Sequence, residues 1–111
     1  MTQLTMALID KEHYQVLSLA GRLDLRSIHV NSLAVKDLPL RHTLLDCSDI
    51  DFIDSSGLGM LTGMLQRLKK DGKAMALMQV SETIMAVLQR TRLDTLFPIV
   101  DSEKQALDYF S

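Results

Sequence analysis

An α/β fold built on a mixed sheet is predicted by three features of this 111-residue sequence. Two strand-like segments near the N-terminus are joined by the polar turn Asp10-Lys11-Glu12-His13, the signature of an antiparallel hairpin. After them strand-like and helix-like stretches alternate in the order ββ(α)βαβα(β)α, which implies parallel pairing through right-handed crossovers. Apolar residues make up 47% of the chain, enough for one core, and helices are expected on at least one face of the sheet. The length fits one domain, residues 1–111. Aromatics are only 5%, so Leu, Ile, Val, Met and Ala must fill that core.

Thr5 to Ile9 reads as the first strand. Tyr14 to Ala20 reads as the second, with Gln15, Leu17 and Leu19 on one face and Tyr14, Val16, Ser18 and Ala20 on the other. Gly21-Arg22-Leu23-Asp24 ends it. A short helix is expected from Ser27 to about Asp37, with Ile28, Leu33 and Val35 as its apolar contacts, and Pro39 marks the exit. Arg41 to Cys47, centred on Thr43-Leu44-Leu45, reads as a third strand buried on both faces.

The clearest helix runs to Lys70. Leu58, Leu61, Leu65 and Leu68 recur at spacings of three and four and form one apolar stripe, widened by Met60 and Met64. Gly59 and Gly63 weaken it by about 1 kcal/mol each relative to Ala, which points to close approach of a neighbour. Asp71-Gly72 is a helix stop, and Arg67, Lys69 and Lys70 suit the negative end of the dipole. Lys73 to Val80 follows as a strand. Ser81 and Glu82 open a helix through Ile84, Val87 and Leu88 to about Arg92. Leu96 to Val100, interrupted by Pro98, is expected at a sheet edge. Asp101 or Ser102 caps a last helix carrying Ala106, Leu107 and Phe110.

A net charge of −2 argues against a general nucleic-acid binder. No stretch approaches the ~20 apolar residues of a membrane span, and the N-terminus lacks signal-peptide character, so a soluble cytoplasmic protein is expected. Cys47, the only cysteine, is expected to be buried and reduced.

The chemistry converges on Asp51-Phe52-Ile53-Asp54-Ser55-Ser56-Gly57-Leu58-Gly59. Here a hydroxyl pair meets the start of the strong helix. First-turn N–H groups have no partners inside a helix, and the dipole is positive there, so a phosphate can sit on this serine pair without breaking the fold. That is a switch site rather than a catalytic one, although capping by Ser55 and Ser56 alone is the plain structural alternative. The Gly-x-Ser-x-Gly pattern of esterases is absent, and His13, His29 and His42 read as surface residues rather than catalytic bases. Gly57 to Gly63 lacks the lysine of a P-loop and misses the dinucleotide spacing. Asp46, Asp49, Asp51 and Asp54 alternate with apolar residues, which favours loop and cap roles over a metal site; neither a metal nor a cofactor is expected.

Asp54-Ser55-Ser56-Gly57-Leu58-Gly59 resembles the STAS domain family, in particular the bacterial anti-sigma factor antagonists. Gly21-Arg22-Leu23-Asp24 is similar to the family's Gly-x-Leu/Ile-Asp motif, and the Ser81–Arg92 helix followed by Leu93 matches the family order. The resemblance covers essentially the whole chain. It implies a four- or five-stranded sheet with helices on one face, and a non-enzymatic partner-switching role. By this resemblance Ser55 is the phospho-acceptor, with Ser56 as the alternative, and Asp24, Asp54, Gly57, Leu58 and Gly59 form its surroundings. The implied partners are an ATP-dependent serine kinase that doubles as an anti-sigma factor, and a metal-dependent serine phosphatase. A second expectation from the same family is a non-phosphorylated subunit of an ABC-type lipid transporter that binds the ATPase.

Overall fold

The structure is a computed structural model that describes residues 4–28 and 37–110. Its elements are β1 (Thr5–Asp10), β2 (Gln15–Leu23), β3 (Thr43–Ile53), α1 (Ser55–Lys70), β4 (Met75–Met78), α2 (Glu82–Arg90), β5 (Ile99–Val100) and α3 (Glu103–Ala106). The strands form one sheet in the order β1-β2-β3-β4-β5. β1 pairs antiparallel with β2, and every later pairing is parallel. The mixed α/β sheet expected from the hairpin and the alternation is therefore present, with five strands.

Strand alternation divides the core. Leu17, Leu45 and Leu77 point to one side, where α1 and α2 bury Leu61, Leu65, Leu68, Ile84 and Leu88 against them. Their chain neighbours Val16, Leu44 and Ala76 point to the other side, as does Val100 of β5, and are covered by Ala106 and Phe110. The two longer helices thus share one face, and the short α3 closes a second, smaller patch behind the sheet. Leu44 and Leu45 are both fully buried, as expected of a central strand covered on both sides.

Several expected boundaries move. β3 continues to Ile53 instead of ending at Cys47, because its pairing with β2 runs on to Leu23↔Ile53 through two register irregularities. Asp49 and Asp51 consequently lie on a strand rather than in a loop. β4 is cut to four residues and is followed by Gln79 in a left-handed conformation, φ 59°. β5 keeps only Ile99 and Val100. Pro98 stands just before it and uses its carbonyl, 2.9 Å from the Leu77 N, at the sheet edge where a proline is tolerated. Leu107, expected within the last helix, is 45% exposed in a 3-10 turn, while Ala106 and Phe110 are buried. Residues 25–28 are helical, so the helix expected from Ser27 starts earlier. Its remainder, with Leu33 and Val35, lies outside the described residues, as does His29.

The glycines of α1 reverse the expectation drawn from spacing. A Cβ placed at Gly59 or Gly63 meets nothing within 4 Å. At Gly57 it would come within 2.7 Å of Ile53 Cγ1 and 2.9 Å of Leu23 Cβ, and closer still to the Leu23 carbonyl oxygen. The close approach is at the first turn of α1, where the helix is pressed onto the ends of β2 and β3. His13 is exposed as expected, but His42 is not a free surface residue: its Nδ1 accepts the Ala74 N–H at 2.9 Å and its ring stacks on Phe110. Cys47 is buried, and burial pushes its thiol up to about 12.

Candidate functional site

The C-terminal ends of β2 and β3 lie side by side, and each runs straight into a carboxylate that caps a helical turn. Asp24 follows β2. Its carbonyl accepts the Ile28 N–H at 3.0 Å and its Oδ1 accepts the Ser27 N–H at 3.0 Å, so it starts the turn at residues 25–28. Its Oδ2 receives the Arg22 Nε–H at 3.0 Å. The Ser27 N–H and the Arg22 guanidinium together hold the Asp24 carboxyl below the usual carboxylate range.

Asp54 follows β3 and is bound back to β2 by its N–H, 3.2 Å from the Leu23 carbonyl. It is the N-cap of α1, in extended geometry at φ −115° and ψ −172°, with Oδ1 accepting the Gly57 N–H at 3.0 Å. Its Oδ2 accepts the Leu25 N–H at 3.3 Å. One carboxylate therefore joins the starts of both helical segments. The cap is Asp54 and not either serine, which leaves Ser55 and Ser56 as the first two residues inside α1.

Ser55 is exposed and Ser56 half-buried. The first turn of α1 carries no acidic side chain, and Arg67, Lys69 and Lys70 stand in its last turn. The charge distribution thus follows the dipole at both ends, basic at the C-terminal end and with the Asp54 cap carboxylate at the N-terminal end. Gly57 lets the helix start sit directly on Leu23 and Ile53, which fixes where Ser55 emerges. Leu58 is half-buried against the core, and Gly59 is exposed one turn beyond Ser55.

The structure brings Asp24, Asp54, Ser55, Ser56, Gly57, Leu58 and Gly59 together at one end of the sheet. It adds three residues that the motif alone does not single out. Arg22 stacks its guanidinium 4.0 Å from the centre of the Phe52 ring while holding Asp24. Phe52 and Leu25 are both exposed apolar side chains beside the caps, Leu25 at 67%. The Arg22↔Phe52 pairing was readable only from the β2–β3 register, which spacing along one strand does not give.

The four aspartates once grouped by sequence are separated in role. Asp54 caps α1, Asp46 accepts the Ser48 N–H at 3.1 Å, and Asp49 and Asp51 are exposed along β3. Among the described residues there is no group of three or more His, Cys, Asp or Glu side chains placed to hold a metal ion. No helix among them is long and apolar enough to cross a membrane.

Comparison with known proteins agrees with this fold. The STAS domain pattern matches residues 3–106. An anti-sigma F factor antagonist from Paenibacillus polymyxa is 28% identical over 106 residues, covering 89% of this chain and 91% of the relative. An anti-sigma-B factor antagonist from Bacillus subtilis (strain 168) is 30% identical over 87 residues, covering 75% and 78%. Among solved structures, a putative anti-sigma factor antagonist from Thermotoga maritima superposes with a TM-score of 0.78 at 25% identity, over 96% of this chain and 93% of that one. The Bacillus cell fate determinant SpoIIAA in its phosphorylated form shares the fold with a TM-score of 0.66 at 23% identity, over 94% and 97%. With the matched pattern spanning nearly every residue from the hairpin to α3, the chain belongs to the STAS domain family.

Proposed function

We propose that this chain is an anti-sigma factor antagonist-type regulator whose binding to its partner is switched by phosphorylation of Ser55. The observation that carries the reading is the position of Ser55: exposed, first inside α1, and immediately after a cap supplied by another residue. Since Asp54 does the capping, the Ser55 hydroxyl is not needed to start the helix. A kinase can modify it without removing a structural hydrogen bond. Ser56, half-buried one residue on, is the less accessible alternative. The names of the antagonist relatives and the phosphorylated state of SpoIIAA support the same reading.

Phosphorylation adds nearly two negative charges and strong acceptor oxygens at the positive end of α1. The fold tolerates that charge because the helix N-terminus is complementary to it. A partner surface shaped for the neutral hydroxyl and for the apolar Leu25 and Phe52 side chains does not, because the dianion keeps its water and repels acidic groups. The unmodified form binds an ATP-dependent serine kinase of the anti-sigma type and frees what that partner held. The modified form lets go until a metal-dependent serine phosphatase removes the phosphate. Asp24, Asp54, Gly57, Leu58 and Gly59 shape the surface around the switch, and the reading gives the chain no catalytic step.

The test is partner capture from the native host with Ser55→Ala and Ser55→Asp baits, followed by titration calorimetry on the captured ATP-binding protein. Ser55→Ala should bind as the unmodified protein does. Ser55→Asp should bind at least about tenfold more weakly, the factor that ~1.4 kcal/mol lost from an interface produces. Equal affinity of the two variants overturns the assignment.

A further inference from the structure

At the end of the sheet opposite Ser55, residues 102–110 cross the starts of three parallel strands. Phe110 is their anchor. Its ring lies 5.5 Å from that of Tyr14, which precedes β2, and 5.4 Å from that of His42, which precedes β3, stacked on the latter at 9°. His42 is wedged between this ring and the backbone that enters β4, where its Nδ1 accepts the Ala74 N–H at 2.9 Å. With Nδ1 as the acceptor, the neutral ring carries its proton on Nε2. A second proton can go only to Nδ1, and there it would put two donors face to face. The ring must then swing away from Ala74, and in doing so it gives up its stack on Phe110.

We propose that His42 is an acid-sensitive latch: protonation of Nδ1 breaks its bond to Ala74 and releases the C-terminal strap, residues 102–110, from the sheet. Release uncovers Val16, Leu44 and Ala76, which the strap covers with Ala106 and Phe110.

Among the described residues, the charged groups on the elements packed against His42 are Lys73, Arg41, Glu103, Lys104 and Asp108. Burial holds the His42 ring below the usual histidine range, and Lys73 at the entry to β4 adds to this by opposing a positive charge there. Arg41, adjacent in the chain, is engaged by Asp10 and by the Lys11 and Glu12 carbonyls. Glu103 on α3 is bound by the Tyr14 hydroxyl and lies 3.8 Å from Lys11. Asp108 and Tyr109 precede Phe110 on the strap itself. Because the docked state takes up the proton less readily than the released one, docking is unopposed above about pH 6.5 and weakens as pH falls below it.

The test is NMR on the full chain between about pH 7.5 and pH 5, following the His42 ring, the Ala74 amide and the amides of Ala106 and Phe110. The latch requires the Ala74 amide and the strap resonances to shift with the midpoint of His42, below about 6.5. Exchange of the Ala106 and Phe110 amides, corrected for the intrinsic rate, should rise about fivefold, the scale of one lost hydrogen bond. In His42→Asn, whose amide oxygen can still accept from Ala74 but does not titrate, both responses should disappear. Strap amides unchanged while His42 titrates, or the same response in His42→Asn, would overturn the proposal. If His42→Asn fails to fold, Glu103→Gln decides the matter: the response must survive that change, and its loss would give the switch to Glu103 instead.

Discussion

Replacing each glycine of α1 by alanine should give opposite signs at positions only two residues apart. At Gly57 the new methyl would stand 2.7 Å from Ile53 Cγ1 and 2.9 Å from Leu23 Cβ, with the Leu23 carbonyl oxygen nearer still. A side chain can turn aside, but a carbonyl fixed in the β2–β3 pairing cannot, so the first turn of α1 must move. Overpacking of this kind costs ~3 kcal/mol, and alanine's helix propensity returns ~1 kcal/mol, leaving a net loss of ~2 kcal/mol. For a chain of this length that lowers Tm by roughly 8 °C. At Gly59 and Gly63 the methyl meets nothing within 4 Å, so only the propensity gain remains, ~1 kcal/mol and roughly 4 °C upward at each. Urea and thermal unfolding of the three single variants measure this directly. A Gly57→Ala protein as stable as wild type, or three shifts of the same sign, would refute the packing of α1 on β2 and β3 described above.

Asp54→Ala should cost ~1–2 kcal/mol in urea unfolding, because it removes the cap of α1 along with the acceptor of the Leu25 N–H. Asp54→Asn should lose less, since it keeps an acceptor oxygen. The Asp24 carboxyl is held below its ordinary value by Ser27 and Arg22, so it contributes stability that is present above the unfolded-state value and is lost as pH falls through the lower folded one. Asp24→Asn should therefore flatten the acid limb of a stability–pH curve measured between about pH 5 and pH 2. Tyr14 is raised to about 12 because its hydroxyl donates to Glu103. Its contribution is present below the ordinary value of 10.0 and fades as pH rises towards 12, and in a phenolate absorbance titration Tyr14→Phe should remove the late step.

Local patterns were legible where one segment carries its own evidence. The Leu58, Leu61, Leu65 and Leu68 stripe defines α1, and three of those four residues are buried in the structure. The hairpin and its polar turn were equally plain, because alternation and turn chemistry are both contiguous in sequence. What remained hidden depends on partners far along the chain. Asp49 and Asp51 read as loop residues beyond an expected strand end at Cys47, yet pairing with β2 carries the strand past them. Gly57 and Gly59 look alike within the motif, and only the position of Leu23, more than thirty residues earlier, tells them apart. His42 read as a surface residue because Phe110, which stacks on it, lies at the other end of the chain. At the candidate site, the hydroxyl pair and its aspartates were visible as a motif. The division of labour between Asp54 as cap and Ser55 as free hydroxyl needed the helix start to be placed to the residue.

The switch itself is tested most directly by intact-mass and site-mapping spectrometry on the protein isolated from its native host, with Ser55→Ala and Ser56→Ala beside the wild type. The account predicts a phosphoryl-sized mass increment in the wild type and in Ser56→Ala that is lost in Ser55→Ala. An increment that persists in Ser55→Ala, or none under any growth condition, would contradict it.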